Sequence, residues 1–273
     1  MKTINDYEIK EIAPKIYVIQ EYNLSTMTVV VGTKRALVID LGDGVDDFRS
    51  VVEKLCDGLP YDVTLTHGHV DHSGGRWQFP KIHMSPRDKR PYNDSTPLLR
   101  KLYLVGMKFT VPTISFKKAR FGRRPQPEIQ YIDEGHVFDL GDRIVEAIAL
   151  PGHTVGSLGY LVREERILIG GDSMNPGLFL FMHHSTSVES WLKTAKKVVS
   201  IRDRFDLFYP AHGFSPLSEK SLQDLITCAE NVLKKRKKNF FLPLIVKERY
   251  RGVSITYRLS HVRDKKFDRR FLP

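Results

Sequence analysis

The sequence predicts an α/β fold of αββα sandwich type: two mixed sheets face to face, with helices outside. Short β-branched runs alternate with turn signals in both halves of the chain. Each half also adds an amphipathic helix after its strands, and 41% hydrophobic content over 273 residues is enough for a sizeable core. In the first half KIYVIQ, MTVVVG and ALVID are expected as consecutive strands. DGVDDFRSVVEKL then places Val45, Phe48, Val52 and Leu55 at helical spacing behind acidic residues, which predicts an amphipathic helix. YDVTLT returns to a strand whose end delivers THGHVDHSGG into a loop, where strand-to-helix units position their chemistry. In the second half RIVEAIALPGH, SLGYLVRE, RILIGGDS and DLFYPAHG read as strands. SVESWLKTAKKVVSI is helical, with Val188, Trp191, Leu192, Ala195 and Val198 on one face and Ser187 as its cap. SEKSLQDLITCAENVLKKRKK is a longer helix with Leu222, Leu225, Ile226, Ala229 and Leu233 on its apolar side. The tail KERYRGVSITYRLSHVR alternates Val253, Ile255 and Tyr257 and is expected to add to a sheet edge of its own domain.

One domain is expected over residues 1–273, interrupted by a basic, lid-like insertion at 77–130 and extended by a helix and strand at 216–273. The net charge of +11 is concentrated in two places. Arg100 to Arg124 carries eight basic and no acidic residues, and Lys220 to Pro273 carries fifteen basic against five acidic, which leaves the remainder at −7. Phe109, Phe116 and Phe121 are interleaved with Lys117, Lys118, Arg120, Arg123 and Arg124, a surface suited to a molecule with an apolar body and a negative group. Cys56 and Cys228 lie far apart and form no CxxC pattern, so neither a disulfide nor a thiolate metal site is expected. The N-terminal stretch lacks an apolar leader and no run of about 18 apolar residues occurs, which predicts a cytoplasmic protein without a membrane partner. The oligomeric state is left open.

The chemistry concentrates in THGHVDHSGG, where His67, His69, Asp71 and His72 fall within six positions. Alternate residues of a loop converge on one ion, so His67 and His69 suit one metal while Asp71 and His72 face a second position. His153 in LPGHTVGS, Asp172 in LIGGDS and His212 in YPAHGF each end a strand beside a small residue or turn. Together with the first cluster they complete a set of seven ligands.

IDLGDG, THGHVDHSGG, PGHTVGS, GGDS and AHG, in this order between roughly residues 15 and 215, resemble the metallo-β-lactamase superfamily. The resemblance implies that His67, His69 and His153 hold a first metal, that Asp71, His72 and His212 hold a second, and that Asp172 bridges them. Asp40 matches a position that supports the ligand loop without binding metal, and the ligand set is that of the glyoxalase II type. No cysteine stands at the second site, DSMNPG lacks the tyrosine of quorum-signal lactonases, and residues 216–273 show no glutathione-binding pattern. The remaining histidines, His83, His136, His183, His184 and His261, match no ligand position; His183 and His184 follow GLFLFM and are candidates to line the pocket.

Two Zn2+ per chain are expected, with Fe or Mn as alternatives, because three imidazoles leave a catalytic position open. The implied activity is hydrolysis of a small anionic molecule at an ester, thioester, lactone or phosphodiester bond by a metal-bound hydroxide. Asp172 and Asp71 are the expected catalytic carboxylates, Asp71 as proton donor to the leaving group. Alternatives are a mononuclear iron enzyme like the persulfide dioxygenases, or a nucleic-acid-processing metallohydrolase, the latter favoured only by charge.

Overall fold

The computed structural model describes residues 2–4, 7–22, 24–109, 111 and 125–265. Its first half forms β1 (Lys2–Ile4), β2 (Tyr7–Ala13), β3 (Ile16–Glu21), β4 (Thr26–Val31), β5 (Ala36–Ile39), β6 (Tyr61–Thr64), β7 (Lys81–Met84) and β8 (Glu128–Tyr131), adjacent in that order in one sheet. β1 to β5 pair antiparallel and β5 to β8 parallel. The parallel half needs crossovers, and α1 (Phe48–Cys56) supplies the first. α2 (Val70–Ser73), α3 (Lys89–Asp94) and α4 (Pro97–Met107) lie in the later connections. The second half contributes β9 (Val137–Asp139), β10 (Ile144–Ala149), β11 (Leu158–Val162), β12 (Ile167–Gly171), β13 (Gly177–Leu180) and β14 (Leu207–Pro210). All but β13 form a second sheet in the order β14-β12-β11-β10-β9. α5 (Val188–Ser200) and α6 (Glu219–Lys235) follow, then β15 (Ile245–Tyr250) and β16 (Val253–Arg258).

Apolar layering explains the sandwich. Ile16, Val18, Val30, Leu37 and Ile39 of the first sheet meet Val145, Ala147, Leu158, Tyr160 and Ile169 of the second in one buried layer. On the outer face of the first sheet, Val29, Val38 and Val63 pack on Phe48, Val51 and Val52 of α1. On that of the second, Ile148, Leu161 and Leu168 pack on Trp191 and Val198 of α5 and Leu225 and Ala229 of α6. β4, β5, β11 and β12 are therefore buried along their whole length and read as continuous apolar runs. Ser187 and Ser218 accept the Ser190 and Ser221 amides at the starts of α5 and α6, worth about 1 kcal/mol each. Cys56 and Cys228 are free and buried, in different cores. Among the described residues no helix is long and apolar enough to cross a membrane.

Several elements differ from the sequence reading. Residues 77–130 are not solely an insertion, since KIHM and EIQY within them become β7 and β8. Arg100, counted in the basic segment, is buried and donates to the Asp43 and Gly44 carbonyls, so it holds the fold together. Phe109 is 86% exposed. Phe116, Lys117, Lys118, Arg120, Phe121, Arg123 and Arg124 lie outside the described residues. The tail is extended, as its alternation suggested, but it folds into a hairpin of β15 and β16, and β16 pairs with β13 in a separate three-stranded sheet instead of extending either large one. THGHVDHSGG is only partly a loop, because its second half turns helical as α2. α1 begins at Phe48, with Asp47 capping it and Val45 packing elsewhere, beside Leu24 and Leu104.

Candidate metal centre

Strand ends place the seven residues on one rim of the sandwich. β6 leads into His67 and His69, and α2 carries Asp71 and His72 one turn further on. From the second sheet, the turn after β10 brings His153, the end of β12 brings Asp172, and the end of β14 brings His212. Their donor atoms gather in two nests, His67–His69–His153 and Asp71–His72–Asp172–His212, within each of which all ligand atoms lie within 4.8 Å of one another. His69 Nδ1 stands 2.9 Å from His153 Nε2. Asp172 lies between the nests, with Oδ1 at 3.1 Å from His212 Nε2 and Oδ2 at 3.5 Å from His153 Nε2. His72 Nε2 is 3.7 Å from a carboxylate oxygen of Asp71 and of Asp172. Every residue expected as a ligand is thus brought to this site.

Outer partners fix which nitrogen faces inward. The Asp40 carboxylate accepts from Thr66 N, Thr66 Oγ1 and His72 Nδ1, at 2.7, 2.7 and 2.9 Å. Thr66 gives its one hydroxyl proton to Asp40, so at 3.1 Å it accepts from His67 Nδ1. His153 Nδ1 donates to Phe179 O at 2.9 Å and His212 Nδ1 to Leu24 O at 3.2 Å. In each case Nε2 is the nitrogen directed away from the partner and into the nest, the arrangement by which outer partners orient metal-binding imidazoles. Asp40 reaches this geometry with φ +64°, a left-handed conformation that aspartate tolerates better than most residues. The turn after it packs tightly on the ligand segment: a Cβ on Gly44, whose φ is +68°, would fall 2.6 Å from Gly74 O, so only glycine fits this approach.

Electrostatics distinguish the nests. Burial, reinforced by neighbouring imidazoles, holds His67 and His69 well below the usual histidine range, and burial lowers His153 as well. In the second nest burial opposes the charged form, but carboxylates outweigh it. Asp71, Asp40 and Asp172 push His72 up to about 10, and Asp172 and Asp71 push His212 to about 9. Burial likewise works against an ionised Asp172, and His212 and His72 overcome it to hold its carboxyl well below the ordinary value. One nest therefore offers neutral nitrogens, and the other holds protons that an arriving cation displaces.

The donor set fits divalent cations. Among the described residues His67 Nε2 is buried without a hydrogen-bond partner, a costly arrangement that a cation accepting its lone pair would relieve. His153, Asp172 and His212 also line a cavity of about 310 Å³ completed by Asn175, Pro176, Gly177 and Phe179.

The other histidines divide. His83 is buried, donates to Val63 O and stacks on His136, a structural role. His261 is buried close to the C-terminal hairpin. His184 and His183 form a group with Asp94, and the His184 ring lies 6.0 Å from that of His69.

Four supporting residues carry no sequence motif. Asp88 accepts from Gly68 N at 2.5 Å and Gly156 N at 3.0 Å, tying the loop of His67 and His69 to that of His153. Tyr103 on α4 hydrogen-bonds Asp71, and burial with the surrounding carboxylates raises its pKa far above the phenol range. Asn175 donates to Asp172 Oδ1 at 2.9 Å. Glu21 is buried and collects the amides of Asp43, Val45 and Asp46 and the hydroxyl of Tyr7. Burial pushes its carboxyl up to about 7, against the pull of those donors. A lone acid in SPRDK or IQEY gives no pattern to read; the one available signal was Asn175, which follows Asp172 closely in DSMN.

Comparison with known proteins adds three kinds of likeness. A model of the metallo-beta-lactamase superfamily matches residues 23–212. The atrochrysone carboxyl ACP thioesterase nsrC of Aspergillus novofumigatus is 30% identical over 193 residues, covering 69% of this chain and 48% of that protein, so the chain spans about half its length. The acyl-coenzyme A thioesterase MBLAC2 of Gallus gallus is 27% identical over 218 residues, 75% of this chain and 79% of that one. Among solved structures, DIM-1 metallo-beta-lactamase superposes with a TM-score of 0.58 at 16% identity, covering 84% of this chain and 99% of that one. The sec-alkylsulfatase Pisa1 from Pseudomonas sp. gives 0.64 at 14% identity, covering 84% and 42%. At these identities the two structures speak for the fold alone.

Proposed function

The chain belongs to the metallo-beta-lactamase superfamily, and from that premise we propose that it is a dinuclear zinc thioesterase that hydrolyses acyl-coenzyme A. The observation that carries the reading is Asp172, which stands within 3.5 Å of a histidine from each nest on the wall of an open cleft. His67, His69 and His153 would hold one cation, Asp71, His72 and His212 the other, with Asp172 shared. Cations bound there supply Lewis acidity toward a carbonyl oxygen and lower the pKa of water from about 15.7 toward roughly 7.

The chain's own residues do the rest. Asn175 fixes one oxygen of Asp172 and leaves the carboxylate a single orientation. Tyr103 orients Asp71 at the mouth of the second nest, where Asp71 is placed to manage the proton of the departing group. A thiol leaving group, with a pKa of about 8.5, needs less of that help than an alcohol, which suits a site with no stronger acid at hand. Pro176, Gly177 and Phe179 give the cleft an apolar wall for an acyl or pantetheine chain. Thioester chemistry is also what two relatives' names state, and the MBLAC2 thioesterase is covered over most of its length.

The test is release of free thiol from acyl-coenzyme A substrates of graded chain length, measured on protein stripped by chelator and reloaded with Zn2+. Hydrolysis that disappears on stripping and returns with zinc is expected. Zinc-loaded protein that releases no thiol at any chain length removes the proposal.

A further inference from the structure

Outside the two nests, a third group of metal-type ligands stands beside them. We propose that Asp94, His183 and His184 form a separate divalent-cation site at the edge of the first nest, taking Zn2+ or a similar transition metal of intermediate softness.

The distances suit an ion. Asp94 Oδ2 lies 3.1 Å from His184 Nε2 and 3.5 Å from His183 Nε2, and all three ligand atoms fall within 4.8 Å of one another. Tetrahedral zinc with bonds of about 2.0–2.1 Å separates its ligands by about 3.3–3.4 Å, so two of the three edges already match. Two imidazoles and one carboxylate are the donor types that zinc accepts, and three protein ligands leave a further position for water or an anion.

The arms of the site are held rigidly from different parts of the chain. Asp94 ends α3, and next to it Ser95 Oγ donates to Gly68 O while Ser95 O accepts from the buried Arg76 guanidinium. On the other side, His184 O accepts from Val155 N and Ser185 Oγ donates to His153 O. Each arm is thus bonded through its backbone or a neighbouring serine to a loop that carries residues of the first nest. His184 is buried while Asp94 and His183 are half exposed, so an ion has both a floor and an entrance. With the His184 ring 6.0 Å from that of His69, a cation here adds positive charge next to the first nest, on the side from which an anionic substrate would gain by it.

The test is a Zn2+ titration of the metal-stripped full-length chain against a chromophoric chelator, comparing wild type with His183→Ala and Asp94→Asn. Both residues are exposed enough that their loss should leave the fold intact, which circular dichroism checks. Wild type should take three equivalents, the third more weakly than the first two. Each variant should keep the two tight equivalents and lose the third by more than about 100-fold, since a direct ligand counts for more than the outer partners that cost 10–100-fold. Asp172→Ala, run alongside, should disturb the tight equivalents and spare the third, so a failure of the dinuclear reading stays distinguishable from a failure of this one. If wild type binds no equivalent that His183→Ala and Asp94→Asn fail to bind equally well, the third site is wrong.

Discussion

Asp88→Asn tests how the site is held together. The Asp88 carboxylate is buried and accepts the Gly68 and Gly156 amides, one on each of two ligand-bearing loops. Burial pushes it up to about 6 from 3.8, despite hydrogen bonds from Thr154, Gly68 and Gly156. At about 1.4 kcal/mol per pKa unit, the ionised form is disfavoured in place by roughly 3 kcal/mol, a cost that asparagine escapes. Against this, asparagine turns an NH2 group toward one of the two amides. That strands a buried donor at about 1–3 kcal/mol, the loss of the charge-assisted bonds being already contained in the net shift. The terms nearly offset, so global stability should change by no more than about 2 kcal/mol. Metal affinity discriminates better, because Gly68 sits between His67 and His69 and Gly156 shares a turn with His153. Loosening those loops should weaken the first nest about 10–100-fold, as loss of outer partners does elsewhere, and leave Asp71, His72 and His212 nearly unaffected. Competitive zinc titration with urea unfolding of the stripped protein measures both quantities. A lowered urea midpoint with unchanged affinity at both nests would refute the clamp and leave Asp88 a purely structural acid.

Other consequences follow from the same geometry. Asp172→Ala should reduce thioester hydrolysis by at least about 1,000-fold at unchanged circular dichroism, since it removes the carboxylate shared by both nests. Glu21 carries a pH signature. Its folded pKa of about 7 exceeds the ordinary 4.5, so the folded state binds the proton more tightly, and the stability it contributes is full below pH 4.5 and lost as pH rises through 7. The shift is worth about 3 kcal/mol, and the difference in unfolding free energy between stripped wild type and Glu21→Gln should change by that order between pH 4.5 and 7.5; a difference constant with pH would contradict it. Gly170→Ala should destabilise by about 1–3 kcal/mol or more, because its Cβ would lie 1.9 Å from Phe208 Cζ, and Phe208→Leu should restore part of the loss in thermal melts.

What the sequence disclosed, and what it hid, follows from where the signals reside. Strands buried on both faces are apolar runs, and MTVVVG, ALVI and ILIGG were readable for that reason. The α5 face was readable too, because Val188, Trp191, Ala195 and Val198 recur at helical spacing. β7 and β8 were not: each has four residues, EIQY is mostly exposed, and prolines surround both. α4 lacked an inward stripe, since Leu98, Leu99, Leu102 and Val105 are exposed, and its Tyr103 was therefore missed together with its bond to Asp71. All seven expected ligands come together, because metal binding demands particular side chains at strand ends and leaves a dense pattern. Asp88 and Glu21 act on backbone amides far along the chain, and an acid that meets a peptide N–H imposes no residue type on its partner.

The division of ligands between the two sheets has an energetic consequence. The first half of the chain supplies His67, His69, Asp71 and His72, and the second supplies His153, Asp172 and His212, so each nest takes residues from both. Neither nest exists until the layer formed by Ile16, Val30 and Leu37 against Val145, Leu158 and Tyr160 has closed. Cation binding by the proposed ligands would then be tied to docking of the halves, and its free energy would add to that of folding. At 100 times the dissociation constant a single site contributes about 2.7 kcal/mol, so two filled nests add about 5 kcal/mol, comparable to the whole stability of a marginal domain. Chelator should therefore lower the thermal midpoint of wild type by many degrees. In Asp172→Ala the same chelator should have a much smaller effect, although no apolar contact in the inter-sheet layer has changed. An equal chelator-induced drop in the two proteins would show that the cations stabilise the fold from somewhere other than the seam between the sheets.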